Sequence, residues 1–324
     1  MAALHDADDA IVLGSGVAAL HALFWTLLKS GDRVIYPNVS YMAVYRMFHE
    51  LFNRKFGVET IMVDMTDLDA VKQVITQGTR LVHIETPDNP TNGVTDIEAI
   101  AKIAHENGAL LSVDNTFASP FNQKPLELGA DFVVEALTKF INGHGDAQGG
   151  AIISNDLETM DRIRYEAQVN VGSVISPFNA WQIFRGSVTF PLRMQRINES
   201  SQKIAEWLEQ RENVTFVSYL GLPSNPGHEL AKRQMKNGYG GVISFGVDTD
   251  DKTVERFCAA LKVVTFAVSL GHDESLIFPQ PSYDERINLY PEKFRKGFIR
   301  FSVGLEDSDD IIADLDQALK AVGL

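Results

Sequence analysis

Three segments decide the fold: HIETPDNPT (residues 83–91), SVDNTFASP (residues 112–120) and VVEALTKF (residues 133–140). Each begins as an apolar run and ends in polar groups. These are Glu85 and Asn89 in the first, Asp114 in the second, and Thr138 and Lys139 in the third. Strands that are apolar along most of their length are covered on both faces, as in a parallel sheet, whereas a strand with one wet face alternates. If the three strands are parallel, their endings converge on one edge of the sheet, which is where such sheets bind ligands.

Working outward, the same pattern fills the first half of the chain. Strands are predicted at Ile11–Leu13, Arg33–Tyr36, Val58–Val63, Arg80–Glu85, Ala109–Asp114, Asp131–Ala136 and Gly150–Ser154. Helices are predicted between them, at Val17–Lys29, Tyr41–Phe52, Asp67–Ile75 and Asp96–Glu106. This alternation reads as an α/β domain with a mostly parallel sheet between helical layers. After residue 155 the period lengthens to helices over Asp156–Asn170 and Pro177–Arg211. Strands then follow at Val214–Tyr219, Gly241–Val247, Val264–Val268 and Phe298–Val303, before a C-terminal helix. The expectation is a large domain over residues 1–183 and a smaller α+β domain over residues 184–324.

Composition narrows the function. The 324 residues suit roughly two domains. With 29 Lys and Arg against 43 Asp and Glu, the net charge of −14 repels phosphate backbones and anionic lipid, and no basic run offsets it. Nucleic acid and membrane are therefore excluded as expected partners. The one cysteine, Cys258, allows no internal disulfide and suits a reducing compartment. The start, MAALHDADDA, is acidic where a signal peptide would be basic, so a cytoplasmic protein is the default. The histidines, His83, His144 and His272 among them, show no metal-ligand spacing, and His144 reads as part of the turn after Lys139.

GSGVAA (residues 14–19) follows a short strand and opens a helix, so the amides of Gly16 and Val17 can hold a phosphate. It satisfies the dinucleotide pattern G-x-G-x-x-A. The second strand, however, ends in Tyr36, Pro37 and Asn38, without the acidic residue that a nicotinamide ribose requires. A single phosphate remains, beside the equally open reading of a glycine turn that only packs the helix on the strand; with Lys139 and Asp114 the phosphate matches the needs of pyridoxal 5′-phosphate. Its aldehyde takes a lysine amine as a Schiff base, its ring nitrogen a carboxylate, and its phosphate a helix N-terminus. Taken singly, Lys139 and Asp114 would more often form a plain ion pair. In FIRFSVG (residues 298–304) Arg300 emerges from a mainly apolar strand, and a buried guanidinium needs an anion, either a structural acid or a substrate carboxylate.

The segments SGVAA, SGDRV, ETPDNPTNGV, VDNTFASP, LELGADFVV, LTKFINGHGD, SPFNAW, GLPSNPGHELAKRQM and RFSVGLED resemble, in this order along the chain, the Cys/Met-metabolism family of pyridoxal phosphate enzymes. That family includes cystathionine γ-synthase, cystathionine lyases, methionine γ-lyase and O-acetylhomoserine sulfhydrylases. The resemblance implies fold type I, and it implies roles for particular residues. Lys139 would bond the cofactor and then move the proton at Cα. Asp114 would pair with the ring nitrogen, Asn89 would lie beside the phenolic oxygen, and Tyr41 would stack on the ring and act at the leaving sulfur. Gly16, Val17 and Thr138 would hold the phosphate, with Ala136 standing where the family usually has a serine. Arg300 would take the substrate carboxylate, beside Ser269. The resemblance further implies homotetramers built as dimers of dimers, and an N-terminal arm, with a Tyr and an Arg for the partner's phosphate, that no segment here matches.

Which member it resembles turns on a few positions. Val268 and Gly145 lean toward methionine-degrading enzymes, since an apolar wall suits a short thioether better than a second charged end. Arg46 leans toward cystathionine enzymes, and FPQPSYDERINLYPEK (residues 278–293) lacks the M-T-H pattern of many members. The expected activity is γ-elimination of L-methionine or a related sulfur amino acid to a thiol, ammonia and 2-oxobutyrate. The alternatives are a cystathionine lyase, a γ-replacing synthase or sulfhydrylase, and an idle scaffold subunit.

Overall fold

The computed structural model describes residues 1–324 and holds two sheets. The first has seven strands: β1 (Asp9–Leu13), β2 (Arg33–Pro37), β3 (Glu59–Val63), β4 (Thr79–Glu85), β5 (Leu110–Asp114), β6 (Phe132–Glu135) and β7 (Gly150–Ser154), in the order β1-β7-β6-β5-β4-β2-β3. β6, β5, β4, β2 and β3 are mutually parallel, and β7 runs antiparallel to β6 and to β1. Glu85 is the register partner of Asp114, and Asp114 of Val134, so the three polar endings stand side by side at one edge.

Both faces are covered, which is why these strands carry no alternation. On one face Leu13, Val34 and Val134 pack with Phe24 of the helix Gly16–Leu27 and with Phe48; on the other Val82, Ile84, Leu111 and Val113 pack with Ile97 and Ile100 of the helix Ile97–Glu106. Each such fully buried side chain contributes about 1.5–3 kcal/mol, so the strand ends that bear the polar groups are firmly anchored.

The second sheet comprises β8 (Val214–Ser218), β9 (Val242–Val247), β10 (Thr265–Phe266), β11 (Leu276–Pro279) and β12 (Phe298–Ser302), in the order β10-β11-β12-β9-β8. Ile299 and Phe301 of β12 enter a core with Phe245, Phe257 and Leu315, while Arg300 reaches across to Asn89 near the first sheet.

Four sequence expectations need correction, and one strand was not expected. The single helix over Pro177–Arg211 is two, Pro177–Ser187 and Phe190–Glu209, because Pro191 lacks an amide and its ring would clash with the carbonyl of Ser187 in a continuous helix. The strand over Val264–Val268 shrinks to β10, since the carbonyls of Val268 and Ser269 accept from Arg300 rather than joining a ladder. β11 was not predicted at all. The helices expected over Tyr41–Phe52 and Asp156–Asn170 both begin as α and widen to π turns, at Met47–Phe52 and Arg164–Val169.

Candidate active site

A cavity of about 350 Å³ lies between the start of the helix Gly16–Leu27, the ends of β4, β5 and β6, and Val268, Ser269 and Arg300 from the second sheet. Its walls include Tyr41, Asn89, Asp114, Thr138 and Lys139. Parallel strands place the last three there, because each follows or ends an anchored strand.

The helix start forms one wall. Ser15 caps it by accepting the Ala18 N–H at 3.0 Å, and the amides of Gly16 and Val17 are left without intrahelical partners. Gly16 is required by space: a Cβ there would lie 2.9 Å from the Cβ of Ala136. The contact is made by the residue that replaces the expected serine. Thr138 lines the cavity, but its hydroxyl donates to the Gly149 carbonyl at 3.2 Å and accepts the Gly149 N–H at 3.1 Å.

Asp114 lies buried at the floor. Its Oδ1 accepts from the Thr116 amide (3.1 Å) and hydroxyl (2.6 Å), whereas Oδ2 accepts nothing. Burial pushes the carboxyl up to about 6 against the pull of Thr116, and Glu135 pushes the same way. A buried carboxylate with one oxygen unused is suited to a cationic N–H.

Lys139 makes no ion pair. Its Nζ donates to Ser269 Oγ at 3.0 Å, and that hydroxyl lies 3.0 Å from His272 Nε2. Burial, then the charge of Arg300, bring the amine down to about 8, so a neutral nucleophile is accessible near neutral pH. The plain Asp114–Lys139 ion pair left open by the sequence is therefore absent.

Arg300 also lacks an acid. Its Nη1 donates to Asn89 Oδ1 at 3.1 Å and its Nη2 to the carbonyls of Ser269 (3.2 Å) and Val268. Burial, unrelieved by any carboxylate in contact, brings it down to about 10. Arg46, by contrast, is not brought into the cavity: its Nη2 pairs with Glu285 Oε1 at 3.1 Å, both side chains about half exposed.

Glu85 organises this wall without being exposed to solvent. Its Oε2 accepts the Tyr41 amide at 2.6 Å and its Oε1 the Asn89 amide at 3.0 Å. One carboxylate thus sets the entry of the helix that presents Tyr41 and the loop that presents Asn89. Burial, then Asp114, raise it well above the usual carboxylate range. The sequence reading noted Glu85 but assigned it no task. It also missed the link from His272 through Ser269 to Lys139, although His272 lies three residues from Ser269.

A partly buried lysine without an ion pair, a carboxylate with one oxygen unused and a glycine-cleared helix start fit a pyridoxal phosphate site in amino-acid chemistry. The chain belongs to the family described as Cys/Met metabolism PLP-dependent enzymes, whose model matches residues 1–320. Its cofactor is pyridoxal 5′-phosphate. It is 49% identical to a canavanine gamma-lyase of Pseudomonas canavaninivorans, over 98% of this chain and 80% of that protein. It is 41% identical to an L-methionine gamma-lyase of Fusobacterium nucleatum subsp. polymorphum, over 99% of this chain and 82% of that one. The fold is similar to that of cystathionine gamma-lyase from Lactobacillus plantarum, with a TM-score of 0.91, 37% identity and coverage of 99% of this chain and 84% of the other. No helix is long and apolar enough to cross a membrane.

Proposed function

We propose that the chain catalyses γ-elimination from an L-α-amino acid whose leaving group carries no second carboxylate, with L-canavanine the first substrate and L-methionine the second. The observation that carries this is the one-ended charge of the cavity. Arg300 is the one guanidinium in the lining, the other charged groups there, Glu85, Asp114 and Lys139, have the duties given above, Val268 and Tyr41 stand nearby, and Arg46, which could have met a distal carboxylate, is paired with Glu285 outside. The greater identity to the canavanine enzyme, 49% against 41%, supports an oxygen-linked leaving group, while the apolar Val268 supports the thioether of methionine.

Bound in the cavity, the cofactor would supply an electron sink that acidifies the substrate protons at Cα and then Cβ. Gly16 and Val17 would hold its phosphate through their amides, Asp114 Oδ2 its ring N–H, and Asn89 its phenolic oxygen. Arg300 would grip the α-carboxylate with two donors and so fix which Cα bond faces Lys139. Lys139, neutral once deprotonated, would take the Cα proton and return it further along the side chain. Tyr41 would give a proton to the departing oxygen or sulfur, its place held by Glu85 through the backbone.

Release of the leaving group from canavanine, methionine, cystathionine, homocysteine and O-acetylhomoserine distinguishes the readings. Canavanine or methionine is expected to exceed cystathionine in kcat/KM by about tenfold or more, the equivalent of about 1.4 kcal/mol. Activity confined to a homoserine ester plus a thiol acceptor would replace the lyase by a synthase.

We further propose a homo-oligomer, in line with the tetramer that the family resemblance implies. Val169, Phe178, Trp181, Phe184, Val188 and Leu192 are 58–73% exposed along one stretch of chain, an apolar density that isolated monomers rarely leave uncovered. Light scattering after size exclusion is expected to give a multiple of 35.9 kDa, and Phe184→Asp with Leu192→Asp to shift the mass toward one chain.

A further inference from the structure

At the strand end beside Asp114, and outside the cavity lining, an acid and an imidazole are sealed together in the protein. Glu135, the last residue of β6, and His5, from the short N-terminal helix Ala2–His5, are each 1% exposed, and His5 Nε2 lies 3.3 Å from Glu135 Oε1. No Lys or Arg pairs with Glu135. Its only other contact is the Asn115 Nδ2 donor at 2.8 Å, and Asn115 in turn is tied to Gln123. Neither ring nitrogen of His5 makes a hydrogen bond, so its approach to Glu135 is close contact without a shared proton. His5 is thus the one basic side chain within 4 Å of Glu135, in a place where an uncompensated charge is costly.

The location matters because Glu135 is the register neighbour, one residue on, of Asp114. Val134 opposes Asp114 across β5 and β6, Asn115 follows Asp114 in the chain, and Thr116 bonds both Asp114 and the Ala136 amide. Two carboxylates at adjacent strand ends compete to keep their charge. Asp114 can serve a protonated ring nitrogen only as a carboxylate.

We propose that His5 is a positioning residue for the cofactor: by pairing with Glu135 it holds that charge off Asp114, so that Asp114 remains the carboxylate that meets the ring nitrogen. This rests on the assignment of Asp114 to that nitrogen. It gives the first residues of the chain a part in the site from behind, with no contact to cofactor or substrate.

The experiment compares two ligands by equilibrium titration of the full 324-residue chain, followed by absorbance and by quenching of intrinsic fluorescence: pyridoxal 5′-phosphate, and its analogue with carbon in place of the ring nitrogen. Parent protein is expected to prefer the natural cofactor. His5→Leu is expected to weaken the cofactor by about tenfold, the equivalent of one pKa unit at Asp114, and the analogue by less than about twofold. His5→Leu with Glu135→Gln, which removes both charges, is expected to restore parent affinity. Equal losses for both ligands, no loss for either, or no recovery in the double variant would overturn the proposal. Should His5→Leu alone fail to fold, Glu135→Gln decides: it keeps the side-chain shape and is expected to bind the cofactor at least as tightly as the parent, and weaker binding with the analogue unaffected overturns the idea. A parent that shows no preference between the ligands overturns the assignment of Asp114 itself, a failure distinct from a preference that His5 does not affect.

Discussion

Lys139→Ala is expected to lower turnover by about 10⁴-fold while leaving the fold in place, because it deletes both the amine that bonds the cofactor and the base that moves the Cα proton. The structure explains why the two effects separate. Lys139 is partly buried yet makes no ion pair, and its single hydrogen bond goes to Ser269, which keeps His272 as a partner when the amine is gone. Removing an amine whose burial already disfavours its charged form relieves a desolvation cost and leaves no orphaned carboxylate. The melting temperature should therefore shift by no more than a few degrees, on the order of 1 kcal/mol. Leaving-group release, thermal melts and borohydride trapping of the cofactor check this together. Trapping should label Lys139 in the parent and nothing in the variant. Turnover within tenfold of the parent, or label on another lysine, would remove Lys139 from its role.

The segments that made this expectation available were legible for a physical reason. A strand buried on both faces must be apolar, so a polar residue at its end stands out, and Glu85, Asp114 and Lys139 were found that way. Gly16 was legible because a close approach of helix and strand leaves no room for a side chain. What stayed hidden was pairing between distant parts of the chain. Nothing local tells that Arg46 will meet Glu285, 239 residues on, or that His5 will meet Glu135. The Thr138 hydroxyl turns to Gly149 because of a loop the sequence does not describe. The break before Pro191 is masked in the sequence by a helical period on both sides of it. β11 was missed for the opposite reason. It is four residues long with Pro279 at its end, and its pairing with β12 comes from tertiary context.

The substrate end of the site rests on Arg300, and its removal is the second large effect. Arg300→Leu takes away the one guanidinium that lines the cavity, and with it two charge-assisted hydrogen bonds to an α-carboxylate, together about 4 kcal/mol or 10³-fold in kcat/KM. Three features favour a substrate rather than a structural duty. No acid touches Arg300, its partners are the neutral oxygens of Asn89, Val268 and Ser269, and burial with Arg286 nearby leaves its charge short of compensation. The other buried guanidinium groups are either paired, as Arg286 is with Asp284, or saturated by four backbone carbonyls, as Arg193 is, and neither lines the cavity. Because an α-carboxylate is present in ground and transition states alike, most of the loss should fall on KM, with a smaller fall in kcat from misdirection of the Cα bond. Arg300→Lys should recover only part, since a point charge replaces a planar fork. Cofactor affinity supplies the control: it should stay within about threefold in both variants, because Asn89 and Asp114 keep their anchors on Glu85 and Thr116. An unchanged KM for the amino acid, or loss of cofactor in step with activity, would show that Arg300 holds the two sheets together instead of holding the substrate.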